Sequence, residues 1–153
     1  MGDTKQYFTL EEANLRLPLV KRIVQDIVSL YKDVHERRRR LEEIKFRQTG
    51  SEDGASLYRE EVGEIEKEVK QDVQRLDEFL GELKSLNVQI KDPAIGVVDF
   101  PSMQDGREVC LCWQPGEEEI GFWREVDAGF AGRQSLFEGS IAAPDESSNP
   151  GGE

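Results

Sequence analysis

At 153 residues with a formal net charge of −12, the chain has the size of one domain, or of a small domain with an appendage. An acidic balance this strong repels free nucleic acid. No run approaches the roughly 18 consecutive apolar residues of a membrane-spanning helix. Nor does the start of the sequence have the apolar core of a signal peptide. We therefore expect a cytoplasmic protein without a membrane or nucleic-acid partner, whose two cysteines, Cys110 and Cys112, stay reduced.

The first segment predicts a long helix that begins at a capping box. Thr9 and Glu12 have the T-x-x-E spacing in which each side chain bonds the backbone N–H of the other residue. The stripe of apolar residues then continues to about Phe46 at alternating steps of four and three residues. Its first members are Ala13, Leu17, Val20, Val24, Ile27, Tyr31 and Val34. Because Pro18 removes one backbone donor, we expect a kink or a new helix start near it.

A second long helix follows an exposed loop at residues 48–54. Its stripe consists of Val62, Ile65, Val69, Val73, Leu76, Leu80 and Leu83. Two helices of roughly 30 residues, each about 45 Å long at 1.5 Å per residue, form an antiparallel hairpin when a short polar loop joins them. Since each helix has one apolar stripe, the hairpin needs a further surface from the C-terminal part or from another chain.

The periodicity changes after residue 93. Residues 97–100, 108–113 and 120–124 read as strands, and Asp105-Gly106 is a hairpin turn signal. The predicted fold class is α+β and mostly helical: a long antiparallel helical hairpin (residues 1–93) with a small C-terminal three-stranded antiparallel β meander and a glycine-rich loop (94–137). Residues 138–153 contain acids but no basic residue, and predict a disordered acidic tail whose removal leaves the fold intact.

The glycine-rich segment at residues 121–134 is the candidate functional region, because loops that bring glycines, aromatics and charges together often bind ligands. The candidate ligand-binding residues are Arg133, Gln134, Arg124, Trp123 and Asp127. A guanidinium that follows two glycines can hold a carboxylate or phosphate with two parallel hydrogen bonds. The alternative is that Arg133 stabilises the fold by pairing with an acid such as Asp127, and both interpretations stay open.

A second group of candidates consists of acids in or beside the β part. The candidate metal ligands are Asp99, Glu108, Glu125 and Asp127. Carboxylate oxygens suit Mg²⁺, Mn²⁺ or Ca²⁺, so a divalent cation would be the cofactor. Such acids more often pair with arginines, here Arg107, Arg124 and Arg133, and a salt-bridge network is the favoured interpretation. No nucleophile–base arrangement or phosphate loop identifies a catalytic residue, and whether the chain is an enzyme stays open.

Several short motifs together resemble the uncharacterised bacterial and archaeal family DUF2203. They are FTLEEAN at 8–14, LPLV at 17–20, GVVDFP at 96–101, GREV at 106–109, LCW at 111–113, GFW at 121–123 and DAGFAGRQ at 127–134. The resemblance implies a cytoplasmic prokaryotic protein with a long helical hairpin and a small β part, and implies no activity. The family pattern often has histidine where this chain has Arg124, so a metal site built on a His-x-x-Asp pair lacks its histidine here.

Two classes of function follow. The heptad stripes favour an interaction or scaffold protein that self-associates along its long helices into a homodimer with a four-helix core. The glycine-rich segment favours a small anionic ligand- or metal-binding protein, or an enzyme, with its site at residues 121–134. The basic run at residues 37–40 adds the prospect of an unidentified acidic protein partner.

Overall fold

The computed structural model describes residues 6–47 and 55–136, so the loop at 48–54 and the tail at 138–153 lie outside the described residues. Within those ranges the chain is α+β and mostly helical, as the sequence predicts. The elements are α1 (Leu10–Arg47), α2 (Ala55–Ser85), β1 (Gln89–Asp92), β2 (Val97–Gln104), β3 (Arg107–Trp113), β4 (Phe122–Glu125), a 3₁₀ helix (Phe130–Gly132) and β5 (Gln134–Ser135). Neither long helix combines the length and apolar character needed to cross a bilayer.

Helix α1 begins at the predicted capping box and continues through Pro18. The Thr9 N–H donates to Glu12 Oε1 at 2.9 Å, and the Glu12 N–H donates to Thr9 Oγ1 at 3.1 Å. The new helix start considered at Pro18 is not seen, because α1 is one helix from Leu10 to Arg47. Pro18 is exposed, whereas Leu17 and Val20 on either side of it are buried. Tertiary packing of the apolar face therefore outweighs the loss of one backbone hydrogen bond.

A Schellman motif ends α2 and turns the chain into the sheet. The Val88 N–H donates to the Leu83 carbonyl at 3.1 Å, and the Asn87 N–H donates to the Lys84 carbonyl at 2.9 Å. Asn87 takes the left-handed conformation this motif requires, with φ of 63°. Leu83 and Val88, the two apolar residues that the motif brings together, are both buried in the core.

The sheet is a five-stranded antiparallel meander in the order β1-β2-β3-β4-β5, not the three-stranded one predicted. Strands β1 and β5 were missed because they are four and two residues long and lack apolar alternation. The predicted turn at Asp105-Gly106 joins β2 to β3, with φ of 53° and 80°.

One face of the sheet packs against the sheet-proximal halves of both helices. The sheet residues of this core are Val98, Phe100, Leu111 and Trp113. Along the helices, the same core extends to Val28 on α1 and to Leu76 on α2. Residues 30–47 of α1 and 57–75 of α2 lie beyond it, and we call these two segments the helical arm. The buried side chains of the arm are Leu30, Val34, Ile44 and Ile65.

Candidate functional site

The face of the sheet that points away from the core carries a layer of polar side chains, which we call the far face. In the strand register Asp99 lies opposite Cys112, Cys112 opposite Phe122, and Cys110 opposite Arg124. Residues directly opposite one another share a face, and these alternate along the strands with the core residues. Sheet register thus brings together residues that are far apart in sequence.

A buried ion pair lies in the middle of the far face. The side chains of Asp99 and Arg124 are 3% and 6% exposed, and Arg124 Nη2 donates to Asp99 Oδ2. The other carboxylate oxygen accepts a hydrogen bond from the Cys112 thiol at 3.4 Å. Both oxygens of a carboxylate removed from water therefore have partners, which a buried charge needs to be tolerated.

Arg124 also holds the first half of the glycine-rich segment in place. Its Nη1 donates to the carbonyls of Glu125 (3.2 Å), Val126 (3.3 Å) and Ala128. Burial is the largest single effect on the pKa of Arg124 and lowers it, but Asp99, Cys110 and Cys112 together outweigh burial, so the pKa is raised. The guanidinium stays charged and links β2, β4 and the turn that follows β4.

The two thiols on the far face stay protonated at neutral pH. Burial, reinforced by the neighbouring Asp99 carboxylate, raises the pKa of Cys112 to about 12. Burial and Asp99 also raise the pKa of Cys110. A thiol needs a lowered pKa to act as a nucleophile near neutral pH, so neither environment activates its cysteine. Cys112 serves instead as a hydrogen-bond donor to Asp99.

Arg133 holds the turn that follows β3. Its Nη2 lies 2.7 Å from Glu117 Oε2, and its guanidinium stacks over the Phe122 ring at 3.9 Å. Glu117 in turn accepts the Gln114 N–H at 3.1 Å through its side chain and the Trp113 indole N–H at 2.9 Å through its carbonyl. Arg133 therefore pairs with the acid, Glu117, whose hydrogen bonds to Trp113 and Gln114 fix the turn after β3.

Replacing Arg133 with alanine should lower the free energy of unfolding by about 2 kcal/mol, because a mostly buried Glu117 carboxylate loses its counter-charge and Phe122 loses its cation. Urea denaturation measures the change. Arg133→Lys, which keeps the charge but not the planar stack, should recover part of it. Unchanged stability in Arg133→Ala would instead favour the ligand-binding interpretation of Arg133.

The other ligand candidates are Asp127, Gln134 and Trp123. Asp127 and Gln134 are exposed. Gln134 pairs with Trp123 across β4 and β5, and Trp123 packs against the core on the opposite side of the sheet from Arg124. Arg124 and Asp127 line one groove together, whereas Trp123 lies on the opposite side of the sheet from them. Arg124 and Arg133 each have an acidic partner within the fold.

Three of the four metal candidates, Asp99, Glu108 and Glu125, are paired with other side chains. Asp99 contacts Arg124, Glu125 lies 2.6 Å from Arg107, and Glu108 accepts the Tyr7 hydroxyl at 3.2 Å. Within residues 6–47 and 55–136, no group of three or more His, Cys, Asp or Glu side chains is arranged to hold a metal ion.

Two grooves flank the Asp99–Arg124 pair. One, of about 540 Å³, runs between the end of α2, strand β1 and the far face, and Asp99 lies in its lining. The other, of about 520 Å³, lies beside the turn after β4 and includes Arg124. Lys91 and Val126 line both grooves, so the two grooves are adjacent. The Asp99–Arg124 ion pair lies between them, with Asp99 on one side and Arg124 on the other.

A model of the family described as "Uncharacterized conserved protein (DUF2203)" matches residues 6–136. The chain belongs to the DUF2203 family. The match spans both helices and all five strands, and confirms the resemblance based on the short motifs. No curated protein and no solved structure matches this DUF2203 chain.

Sequence reasoning did not single out Lys84 and Lys91 of this DUF2203 protein, which line the larger groove with Cys110. A lysine in the last turn of a helix is usual, since it complements the helix dipole, so Lys84 gave no signal. Lys91 lies in a strand that was not predicted. Lys84 and Lys91 line the same groove because the chain turns from α2 into β1 at the end of the helix.

Proposed function

We propose that this DUF2203 protein is a self-associating interaction module whose helical arm packs against the arm of a second copy. The observation that supports this most is the incomplete burial of the apolar stripe of α2 within the arm. Ile65 is buried, whereas the neighbouring stripe residues Val62, Val69 and Val73 are only half-buried. Apolar area left in water forgoes about 25 cal/mol per Å² of stabilisation, and a second arm could cover it.

The half-buried residues of α2 continue the face that the sheet covers closer to the core. Val69 and Val73 lie seven residues before Leu76 and Leu80, and residues seven apart share a helix face. Leu76 and Leu80 pack against the core that includes the sheet. Leu76 and Leu80 are themselves half-buried, as Val69 and Val73 are, so this face of α2 keeps apolar area open to water both beside the sheet and beyond it.

The same continuation exists on α1. Val24 and Val28 contact Gly96 of the turn between β1 and β2. Seven residues further along are Tyr31 and His35, whose rings stack with centroids 6.1 Å apart. On α1 this face is only partly apolar, because Tyr31 is half-buried and His35 is polar and exposed. Two helices that extend such a face past their sheet favour pairing with another hairpin into four helices.

Charge complementarity favours a second copy as the occupant. Residues 30–47 carry seven basic and four acidic side chains, whereas residues 57–75 carry four basic and six acidic ones. Ion pairs within the hairpin use Arg37, Arg40 and Lys45. Arg38 and Arg39 remain exposed. An arrangement that sets α1 of one copy against α2 of the other brings unlike charges together.

The test is a matched pair of variants with one added carboxylate each. Val73→Glu places a charge in the proposed seam and should raise the dimer dissociation constant at least about tenfold, the equivalent of about 1.4 kcal/mol. Gln74 is exposed and points about 100° around the helix from Val73, so Gln74→Glu should leave the constant unchanged. Sedimentation equilibrium measures both.

Circular dichroism provides the control, because a dimer lost through unfolding of the arm would also lose helical signal. The proposal fails if Val73→Glu keeps its helical content and associates as tightly as the unmodified chain. It also fails if all three proteins are monomers throughout the concentration range.

A further inference from the structure

We infer that the groove between the end of α2, β1 and the far face binds a small amphipathic carboxylate, with the carboxylate between Lys84 and Lys91 and the apolar part along the groove. This assignment is independent of self-association, because the groove residues lie between positions 80 and 126, outside the helical arm.

The size and walls of the groove suit a small organic molecule. Its volume of about 540 Å³ falls in the range of roughly 300–1,000 Å³ typical of small-molecule sites. Leu80, Val88, Ile90, Pro101 and Val126 supply apolar walls. Val126 is 49% exposed although it is apolar. A hydrocarbon chain in the groove would cover Val126 and gain the stabilisation of apolar burial.

The charges around the groove favour an anion. Lys84 and Lys91 are exposed and line it. Of the two acids in the lining, Asp99 is neutralised by Arg124, and Glu108 accepts a hydrogen bond from Tyr7. Glu108 keeps its negative charge, so the two ammonium groups face the groove against one acid that is not neutralised, and a carboxylate can pair with them.

Cys110 lies in the lining and offers a reporter inside the groove. Its thiol is half-buried, whereas Cys112 is 0% exposed. N-ethylmaleimide should therefore modify Cys110 first. A ligand in the groove would block the reagent, so the rate of Cys110 modification reads out occupancy without any assumed activity.

The experiment compares three eight-carbon probes on the full chain: octanoate, 1-octanol and octylamine, at concentrations below micelle formation. Octanoate should slow Cys110 modification at least tenfold at saturation and raise the thermal midpoint, while the neutral and cationic probes should do neither. Cys110→Ser identifies the modified thiol and retains the thermal readout. Equal protection by octanol, protection by octylamine, or no protection by octanoate would overturn the assignment.

Lys91→Glu should weaken octanoate binding at least tenfold, whereas Arg22→Glu, at an exposed position on α1 outside the groove, should not. Equal effects of the two variants would also overturn the assignment. Val73→Glu separates this inference from the proposed function, since it should dissociate the dimer and leave octanoate protection of Cys110 intact.

Discussion

Replacing Asp99 with alanine should lower the free energy of unfolding by about 3–5 kcal/mol. The substitution strands the Arg124 guanidinium, which is 6% exposed, without its counter-charge. It also removes the acceptor of the Cys112 thiol. Because Arg124 holds three carbonyls at the end of β4 and in the turn that follows it, any movement of the guanidinium would also loosen that turn. Urea denaturation at neutral pH measures the change, as the shift in midpoint at constant slope.

Asp127→Ala is the matched control for Asp99→Ala, because Asp127 is exposed and its removal should change stability by less than about 0.5 kcal/mol. A double variant that replaces Asp99 and Arg124 with leucine and methionine should lose less stability than Asp99→Ala, since no charge remains buried alone. Similar stabilities for Asp99→Ala and Asp127→Ala would contradict the role assigned to the pair.

Replacing Gly96 with alanine should cost about 2–4 kcal/mol, through two effects. Gly96 has φ of 90°, a conformation that side chains with a Cβ rarely adopt. A Cβ there would also lie 2.8 Å from Val24 Cγ1 and 2.9 Å from Pro115 Cγ. The turn between β1 and β2 packs against α1 at this point, and Val24 cannot move without disturbing the core to which it belongs. Thermal or urea unfolding gives the size of the loss.

Gly116→Ala separates these two effects. Gly116 also has positive φ, 105°, but a Cβ there would meet nothing within 4 Å. Gly116→Ala should therefore lower the free energy of unfolding only through its backbone conformation, by roughly 1–2 kcal/mol. The difference between the two variants then measures the close approach of the β1–β2 turn to α1. If both substitutions lower stability equally, that approach does not constrain the fold.

The helices could be predicted from sequence because their signals are local. The capping box at Thr9 and the apolar stripes act within a few residues, and the structure contains the predicted cap and both helices. The Asp105-Gly106 turn is local in the same way. Strands β1 and β5 have no such local signal, since they form by pairing along the edges of a sheet that other strands have already specified.

The contacts of the candidate site depend on register, which the sequence does not contain. Alternation along a strand assigns Asp99 and Arg124 to faces, but only the pairing of β2, β3 and β4 brings their side chains together. Arg133, just before β5, likewise contacts Glu117, in the turn after β3, only because the folded sheet brings them together. Sequence reasoning favoured pairs between arginines and the acids Asp99, Glu108, Glu125 and Asp127, but it could not assign the partners and did not include Glu117.

The molar mass of the full chain in solution tests self-association most directly. Light scattering at micromolar concentration should give twice the chain mass of 17.4 kDa, because in the proposed dimer a second arm covers the apolar face that each hairpin extends beyond its sheet. A mass of 17.4 kDa at every concentration up to the solubility limit would contradict the proposed function.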